Sequence, residues 1–414
     1  MEGLGENKLL KKIVSGTVLT LLLIIIVTLA CNCQGGPVNG YLEDVNGALV
    51  LHVWGDPYDM GEVNGSLLKD SIKEAIQSLI DEMENMGYNY TYLANCAETM
   101  EQYIPEEYIK EMEGLADGAN ITYTDVLVYH VIADTLFYGP GWTGCSGFAV
   151  FGNATNATGD GHLYHGRSFD SPVSLTSGES TGLITVYEPE NGNTFVNVGW
   201  FGFIGVYTGM NKEGITVEMN ASSSNDTTLD GMPIAFMLRE VLEDSNNLTQ
   251  AIDIINSTNR TVGWNIVLGD GKNLNACVVE VSANYCKVFG PGGPEEDIEP
   301  HYSIPDAVRR TNHYVDTELA ATQRSPYDPR VVGWNGSWNR YETLSQLIEY
   351  TYGDITAEMS IEFLQMPHVA VPQNQQSVVF DATDLELWVA NARNDTPAYL
   401  LDFIYLSYDD LFPE

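Results

Sequence analysis

The residues best suited to chemistry surround Cys145. This cysteine lies between Gly144 and Ser146, two small residues that leave space around its backbone and thiol. A thiolate is a strong nucleophile, and a neighbouring cation favours its formation. Arg167 and Asp170 stand close together further along the chain and could supply that cation and a carboxylate. These three functional groups could perform nucleophilic catalysis through a covalent thioester.

Two predicted strands would bring these side chains together. The residues after Cys145 predict an apolar strand, a turn-rich loop over 153–161 and a second strand over 163–169. A hairpin of this kind returns Arg167 and Asp170 towards Cys145. The alternative is that the cysteine is a small buried apolar residue and that Arg167 and Asp170 form an ordinary ion pair.

Six further segments carry recognisable motifs, among them Gly-x-Pro-Tyr, Thr-Asn-His and Ser-x-x-Arg-Tyr. They lie at residues 51–68, 113–119, 204–220, 310–314, 337–344 and 377–390. In content and order they resemble the isopenicillin N acyltransferase-like family of N-terminal-nucleophile cysteine hydrolases. With the Cys145 hairpin, the resemblance covers about residues 41 to 405.

The resemblance implies that the chain cleaves its own Gly144–Cys145 bond. The thiol would attack the Gly144 carbonyl in an N-to-S acyl shift, and Cys145 would become a new N-terminus. A free α-amine has an ordinary pKa of about 7.7 and a thiol one of about 8.5, so the amine can accept the thiol proton near neutral pH. Such a cysteine needs no histidine base.

The resemblance also assigns roles around the nucleophile. Asp170 would orient the new α-ammonium group, and Arg167 would favour the thiolate and bind developing negative charge. Asn312 of the Thr-Asn-His element is the first candidate for an oxyanion donor, and Asn220 is the second. A turn-capping role is the alternative for Asn312. His313 is expected to be structural.

The fold implied by the resemblance is α+β, a four-layer αββα sandwich of two antiparallel sheets with helices outside. Helical periodicity over 67–86, 105–116, 234–242 and 341–350 agrees with it, as do the strand-like runs between them. The length of 414 residues and the 44% hydrophobic content predict one large domain. Self-cleavage would divide it into an α part, 31–144, and a β part, 145–414, which stay associated through one core.

The N-terminal segment, residues 1–30, predicts export. Three lysines precede an apolar run over 13–30, which is long enough to span a bilayer with its basic side in the cytoplasm. A cleaved signal peptide, a retained signal anchor, or lipid attachment at Cys31 agrees with this pattern. The protein is therefore expected outside the cytoplasm, membrane-anchored or secreted.

Acidic residues dominate the composition. The chain has 57 Asp and Glu against 18 Lys and Arg, for a net charge of −39. Such a charge repels nucleic acid, so no nucleic-acid partner is expected. The acidic run over 295–299 lacks the regular spacing of metal ligands and predicts a solvated loop. Neither a metal ion nor a cofactor is expected.

Cysteines and sequons leave two questions open. Cys277 and Cys286 flank a predicted hairpin, where a cross-strand disulfide or two buried thiols would fit equally. A dozen Asn-x-Ser/Thr sequons would be glycosylation acceptors in an exported glycoprotein. Asn153 and Asn156, in the turn of the Cys145 hairpin, could project glycans into solvent. Asn220 also stands in a sequon, but its role at the site is favoured.

These features predict an exported, self-processing cysteine amidase or acyltransferase that cleaves a linear small-molecule amide. Hydrolysis is favoured, because an exported enzyme has little access to coenzyme A and the chain offers few cations for its phosphates. A lipid N-acyl amide hydrolase of the acid ceramidase or choloylglycine hydrolase type is the second hypothesis. A non-catalytic envelope glycoprotein is the third, and the intact set of candidate site residues argues against it.

An aromatic cluster is the one candidate for a substrate pocket. Its members follow the predicted hairpin at Trp200, Phe201, Phe203 and Tyr207. They could bind an acyl group, or they could fill the core between a sheet and a helix, which is the usual role of such clusters.

Overall fold

The computed structural model describes residues 39–138, 144–158, 161–171, 182–324 and 336–413. The predicted export segment, 1–30, with Cys31, and the sequon at Asn335 lie outside these ranges. Within them, no helix combines the length and the apolar character that crossing a bilayer requires.

The helices of the described ranges are numbered here in chain order. They are α1 Pro57–Leu67, α2 Lys69–Asn85, α3 Tyr90–Glu101, α4 Glu106–Ala119, α5 Tyr123–Tyr138, α6 Ile234–Asp244, α7 Leu248–Ser257, α8 Thr317–Thr322, α9 Ser337–Tyr350, α10 Ala357–Gln365 and α11 Tyr408–Leu411. The four periodic segments predicted as helices correspond to α2, α4, α6 and α9.

The strands form two sheets. They are β1 Gly40–Val45, β2 Ala48–Gly55, β3 Gly144–Val150, β4 Tyr164–Asp170, β5 Gly182–Pro189, β6 Phe195–Trp200, β7 Thr208–Asn211, β8 Ile215–Ala221, β9 Trp264–Asp270, β10 Asn275–Val281, β11 Cys286–Phe289, β12 Ala307–Arg310, β13 Asn374–Asp381, β14 Glu386–Asn391 and β15 Ile404–Leu406. The larger sheet has the order β1-β2-β5-β6-β7-β8-β9-β10-β11, and the smaller one β12-β3-β4-β13-β14-β15.

The two sheets pack face to face with helices on both outer sides, which confirms the four-layer αββα fold. An apolar core between the sheets joins Val186 and Val198 of the larger sheet to Val378 and Phe380 of the smaller one. Helices α2 to α7 cover the outer face of the larger sheet. Helices α9 and α10 cover the outer face of the smaller sheet. Because both faces of each sheet are covered, most strands are buried along nearly their whole length, although several carry polar or charged side chains.

The larger sheet is mixed rather than purely antiparallel, which corrects one detail of the prediction. Strand β2 pairs with β5 in parallel, with Val50 opposite Ile184. The other neighbouring strands of both sheets pair antiparallel. The long chain segment between β2 and β5 contains five helices and the Cys145 hairpin, and this length is what permits a parallel return.

Close packing of α1 against α4 explains why glycines recur at a spacing of four residues in both helices. A Cβ atom on Gly61 of α1 would collide with the main chain of α4, and one on Gly114 of α4 would collide with the main chain of α1. Gly65 and Gly118 repeat the same contact one turn later. The spacing of four residues in both helices therefore serves close helix packing and carries no catalytic role.

The sequons divide by burial. Asn153 and Asn156 are exposed, as a glycan acceptor must be. Asn64 is 2% exposed inside α1 and Asn220 is fully buried in β8, so neither can carry a glycan in the folded protein. Glycosylation at the exposed sequons stays a prediction.

A buried ion network ties α4 to α6 and so joins the predicted α and β parts. Arg239 of α6 donates to Glu111 of α4 at 2.6 Å and to Glu243 at 2.9 Å. Tyr108 of α4 donates its hydroxyl to Glu243 at 2.7 Å. The guanidinium is 1% exposed and lies over the Tyr108 ring, 4.6 Å from its centroid. Cleavage after Gly144 would leave these contacts intact.

Replacing Arg239 by leucine is expected to lower the free energy of unfolding by about 3–5 kcal/mol, because Glu111 and Glu243 would become buried carboxylates without a cation. Urea unfolding followed by circular dichroism measures the difference. Arg393 is exposed, so Arg393→Leu is the matched control and should stay within about 0.5 kcal/mol of the parent. Equal losses for both variants would contradict a stabilising role of the network.

Candidate active site

Pairing of β3 with β4 confirms the predicted hairpin and sets the geometry of the site. The strands are antiparallel, with Gly144 opposite Asp170, Cys145 opposite Phe169 and Gly147 opposite Arg167. Because side chains alternate between the two faces of a strand, the side chains of Cys145 and Arg167 point to one face. The side chain of Asp170 points to the other, so the main chain at Gly144–Cys145 lies between them.

The inward face of the hairpin carries an ion pair that the sequence did not predict. Arg167 meets Glu218 of β8, with 3.7 Å between Nε and Oε2, and both side chains are fully buried. The guanidinium also donates to the Thr208 hydroxyl and to the Met219 carbonyl. The idea of an Arg167–Asp170 ion pair is therefore wrong, since the two side chains lie on opposite faces.

Gly147 allows Glu218 to approach β3 closely. A Cβ atom at this position would collide with the Glu218 carboxylate. Burial raises the pKa of Glu218 to about 8, while Arg167 and a hydrogen bond from Asn220 lower it. This carboxyl can therefore hold a proton near neutral pH on the same face as Cys145.

Asn220 lies two residues after Glu218 on the same face of β8. Its Nδ2 donates to Glu218 Oε1 at 2.8 Å. Its Oδ1 is buried and has no hydrogen-bond partner among the described residues. The structure thus places Asn220 beside the Arg167–Glu218 pair, with spare capacity to accept one hydrogen bond.

The outward face of the hairpin holds Asp170 in a polar cage. Its Oδ1 accepts from the Ser168 hydroxyl at 2.6 Å and from Asn374 Nδ2 at 3.0 Å. Its Oδ2 is buried, has no hydrogen-bond partner among the described residues, and lies 3.5 Å from the position that a Cβ atom on Gly144 would take. Burial raises the pKa of Asp170 to about 6, and the nearby Arg340 lowers it. A carboxylate oxygen is therefore available beside the predicted cleavage point.

Asn312 contacts the main chain of Cys145, the candidate nucleophile. Its Oδ1 accepts a hydrogen bond from the Cys145 main-chain N–H at 2.8 Å, and its Nδ2 donates to the Ala221 carbonyl at 2.8 Å. These contacts cross between elements, so the side chain does not cap its own turn and the turn-capping alternative is wrong. In the uncleaved chain the amide holds the Cys145 nitrogen, and after cleavage the same oxygen would face the α-amine.

Arg340 of α9 completes the outward side, and sequence reasoning assigned it no role. Its Nε donates to the Ser146 hydroxyl at 3.0 Å, and its Nη2 donates to Asn312 Oδ1 and, at 3.4 Å, to the Cys145 carbonyl. Arg340 is 3% exposed. The only sequence signal was the arginine of the Ser-x-x-Arg-Tyr element in a chain with few bases.

The Cys145 thiol is buried and neutral in this state. Cys145 is 1% exposed. Burial raises the pKa of its thiol to about 11; the charge of Arg167 and a hydrogen bond from the Asp170 main chain lower it, and the charge of Asp170 raises it. A charged neighbour that favours the thiolate is therefore in place, but desolvation outweighs it.

The aromatic cluster adjoins the nucleophile through Phe169, the residue opposite Cys145. Phe169 packs against Trp200, with ring centroids 5.0 Å apart, and stacks on Tyr207 at 6.4 Å. Phe203 contacts Tyr207 at 4.7 Å. All of these rings are buried. They are core residues in this state and give the thiol an apolar neighbourhood.

The acidic run over 295–299 is solvated only in part: Asp297 and Glu299 are exposed, as its composition predicted, whereas Glu296 is buried. Glu296 is 1% exposed and accepts from Arg310 at 2.7 Å, from Arg309 at 3.2 Å and from the Tyr341 hydroxyl at 2.8 Å. Two cations and a phenol compensate the burial of this carboxylate. The run therefore anchors β12, the strand that leads directly to Asn312.

Cys277 and Cys286 are both free thiols, so the disulfide alternative is wrong. The predicted hairpin is present as β10 and β11, but Cys286 pairs with Val281. Val281 is four positions from Cys277 along β10, which corresponds to about 13 Å. A disulfide needs Cα atoms within about 7 Å of each other.

One group of potential metal ligands occurs among the described residues. Ligand atoms of His162, Asp381 and Asp384 lie within 4.8 Å of one another. His162 Nδ1 bonds to Asp381 Oδ2 at 2.7 Å. The group stands at the end of β4 remote from Asp170, so it takes no part in the site. The expectation of no metal stays a prediction.

Candidate catalytic groups surround the Gly144–Cys145 peptide bond. The Cys145 thiol lies on one side of the Gly144–Cys145 main chain and Asp170 and Arg340 lie on the other, while Asn312 bonds both to the Cys145 nitrogen and to the Ala221 carbonyl of β8. Attack of the thiol on the Gly144 carbonyl would create an oxyanion and an amine among these groups. Fixed donors and a cation stabilise such charges when they are buried and already in place.

The chain is similar in sequence to several known proteins. The chain is 29% identical over 404 residues to an uncharacterized protein of Archaeoglobus fulgidus, which covers 86% of this chain and 66% of that protein. It is 22% identical over 199 residues to the acid ceramidase of Rattus norvegicus, covering 42% of this chain and 48% of the ceramidase. The chain thus spans less than two thirds of the length of either relative.

A solved structure is also similar to this fold. The Caenorhabditis elegans ortholog of N-acylethanolamine-hydrolyzing acid amidase is 17% identical, with a TM-score of 0.42 over 63% of this chain and all of that one.

The family assignment comes from a model of aligned sequences. Residues 156–389, more than half of the chain, match the family described as acyl-coenzyme A:6-aminopenicillanic acid acyl-transferase. The match includes Arg167, Asp170, Asn220 and Asn312 and begins after Cys145, the candidate nucleophile. The chain belongs to the acyl-coenzyme A:6-aminopenicillanic acid acyl-transferase family.

Proposed function

We propose that this chain is an exported, self-processing cysteine amidase that hydrolyses a linear small-molecule amide through an acyl-thioester on Cys145. One observation carries the proposal. The Cys145 nitrogen is hydrogen-bonded to Asn312 Oδ1, and an unpartnered carboxylate oxygen of Asp170 lies beside Gly144. The bond that must break first therefore sits inside a buried polar site, on a strand with a fixed register.

Self-processing begins when Cys145 Sγ attacks the Gly144 carbonyl carbon and the thiol proton is released. The C–N bond then breaks, the nitrogen takes up a proton, and Gly144 is left as a thioester on Cys145. Water hydrolyses the thioester to a Gly144 carboxylate and a free thiol. The products are the parts 31–144 and 145–414, or 1–144 where the N-terminal segment is retained as an anchor.

Amide hydrolysis repeats these steps on an external substrate. The new α-amine accepts the thiol proton, and the thiolate attacks the substrate carbonyl. The substrate amine leaves with a proton from the α-ammonium group, and the acyl group remains on Cys145 as a thioester. Water then releases the acid and restores the thiol. Asp170 lies where it would hold the α-ammonium group, while Arg167 lies on the side of the thiolate.

A lipid N-acyl amide is the second candidate for the substrate. The similarity to rat acid ceramidase favours it, as do the apolar rings of Phe169, Trp200 and Tyr207 next to Cys145. A membrane-anchored enzyme would also meet such a substrate at the surface that holds it.

A fluorogenic assay tests the function and the substrate class together. The purified protein is expected to release fluorescence from N-lauroyl aminomethylcoumarin and to form lauric acid without an added acceptor. N-acetyl aminomethylcoumarin is the matched control, and its slower cleavage would favour the lipid class because the apolar rings would bind the long chain. Correctly cleaved protein that hydrolyses neither amide would contradict the amidase.

A further inference from the structure

We propose that Ser337, held by His313 and His301, is a positioning residue that fixes the main chain of Asn312 and keeps its amide on the Cys145 nitrogen. The inference rests on the proposed function and extends it beyond the residues that touch the reacting atoms. It turns His313, which the sequence indicated as merely structural, into part of a defined chain of hydrogen bonds.

The chain of hydrogen bonds runs from a half-buried histidine to the site. His301 Nδ1 contacts the Ile298 carbonyl at 3.0 Å, and its Nε2 lies 3.2 Å from His313 Nε2. His313 Nδ1 lies 2.6 Å from the Ser337 hydroxyl. The same hydroxyl accepts the Asn312 main-chain N–H at 2.7 Å. Each member therefore contacts the next at hydrogen-bonding distance.

The donors and acceptors along this chain follow from its ends. A carbonyl only accepts, so His301 carries its proton on Nδ1 and offers Nε2 as an acceptor. His313 must then donate from Nε2. In the tautomer that donates from Nε2, His313 accepts at Nδ1 from the Ser337 hydroxyl. The serine hydroxyl oxygen is left to accept the Asn312 N–H, and the Thr311 hydroxyl, which donates to the Ser337 carbonyl, lies 2.8 Å from the same hydroxyl oxygen.

Neighbouring aromatic rings and burial favour the neutral form of His301. Trp338 and Tyr341 of α9 pack their rings against His301 at 5.2 and 5.3 Å. Burial lowers the pKa of His301 to about 4, Arg310 and Arg309 lower it further, and the Ile298 carbonyl and Glu296 raise it. The imidazole pair is therefore held by rings on its faces and by hydrogen bonds on its edges.

Ser337 lies next to Asn312 and Arg340, two residues whose side chains contact the main chain of Cys145. It is the first residue of α9, and Arg340 follows it by one helical turn. Its hydroxyl bonds to the main chain of Asn312, and the Arg340 guanidinium donates to the Asn312 side chain. Asn312 is thus fixed at both ends by one turn of helix, and losing the serine hydroxyl would free the end that sets the direction of the amide.

The test is steady-state kinetics of fully cleaved Ser337→Ala on the fluorogenic amide. We expect kcat to fall about 10- to 100-fold, because a displacement of a positioned group by about 1 Å has an effect of this size. KM should stay nearly constant, since Ser337 does not reach the substrate. Ser337→Thr keeps the hydroxyl and should recover most of the lost kcat.

Ser345→Ala is the matched control on the same helix. Ser345 is fully buried, and its hydroxyl bonds to Arg309 and to the Tyr341 carbonyl. It has the same type and burial as Ser337 but lies two turns away, so its kcat should stay within about threefold of the parent. Equal losses of kcat in both serine variants would overturn the proposal, as would parental kcat in Ser337→Ala.

A second variant keeps the test decisive if Ser337→Ala does not fold. His313→Phe retains a buried ring but removes the acceptor for the Ser337 hydroxyl, and it should show the same fall in kcat at constant KM. Parental kcat in this variant would overturn the proposal. Failure of the proposed function is distinguishable, because the parent protein itself would then release no fluorescence.

Discussion

Cys145→Ala is expected to remain a single chain in intact-mass measurements, while the parent protein gives two fragments that meet between Gly144 and Cys145. The physical reason is that the alanine variant lacks the sulfur that attacks the Gly144 carbonyl and later carries the acyl group. Amide hydrolysis should fall by roughly 10⁴-fold or more, to the background of the assay, as for other enzymes that lose their nucleophile.

Cys277→Ala is the matched control for this experiment. Cys277 is also a buried free thiol, but it lies on β10, away from the hairpin. This variant should give both fragments and hydrolyse the amide at the parental rate. An uncut parent chain would contradict self-processing, and fragments of the same masses from Cys145→Ala would show that another protease cuts the protein.

The two fragments should stay together after cleavage. Arg239 of the β part pairs with Glu111 of the α part, and His130 of the α part accepts the main-chain N–H of Ile204 at 2.9 Å. Asp134 accepts from the Thr261 hydroxyl at 2.5 Å. These buried polar contacts cross the division at many points of one shared core. Their loss would leave charges unpaired in an apolar environment, which is the strongest reason against dissociation.

Local pattern was sufficient to predict the hairpin that carries the nucleophile. Small residues around Cys145, an apolar strand, a turn-rich loop and a second strand define both elements, and antiparallel pairing then sets which residues face each other. Helix α2 was equally predictable, because its buried residues Ile72, Ile76, Leu79 and Met83 recur at helical spacing. Where one face is buried and the other is wet, periodicity is visible in the sequence.

Buried elements were harder to predict for the same physical reason. Helix α5 is buried on all sides over residues 126–137, so its sequence has no polar face and no helical period. Glu296, in the acidic run over 295–299, shows the reverse case: the acidic composition predicted solvent exposure, but this side chain is buried. The compensating cations Arg309 and Arg310 come from a different element, and the sequence could not show that they meet Glu296.

The candidate site was also predictable only in part. Cys145 and Asp170 follow from one hairpin, whereas Arg340 reaches the site from a helix nearly two hundred residues later in the chain. Alternation along β4 also shows why Arg167 and Asp170 cannot pair: they are three positions apart, an odd number, so their side chains leave opposite faces. The sequence contained that information, and a strict count along the strand would have excluded the ion pair.

Asn312→Ala is expected to lower kcat by about 10²- to 10³-fold, or about 3–4 kcal/mol in the barrier. The variant loses the oxygen that meets the Cys145 nitrogen and the amide that is the first candidate for oxyanion binding. It also leaves the Ala221 carbonyl without its donor. Single-turnover kinetics on cleaved protein measures the loss at the acylation step, and intact mass shows whether self-processing slows in parallel.

Two other asparagines make this prediction specific. Asn211 is also fully buried, but it donates to the Leu242 and Ser245 carbonyls at the C-terminal end of α6, so Asn211→Ala should retain kcat if it folds. Asn220→Ala should lose less than Asn312→Ala, because Asn220 donates to Glu218 whereas Asn312 binds the Cys145 nitrogen itself. A larger loss for Asn220→Ala would move the oxyanion site to the inward face, beside Arg167 and Glu218. The ratio of the two losses therefore decides which of the two asparagines lies beside the developing negative charge.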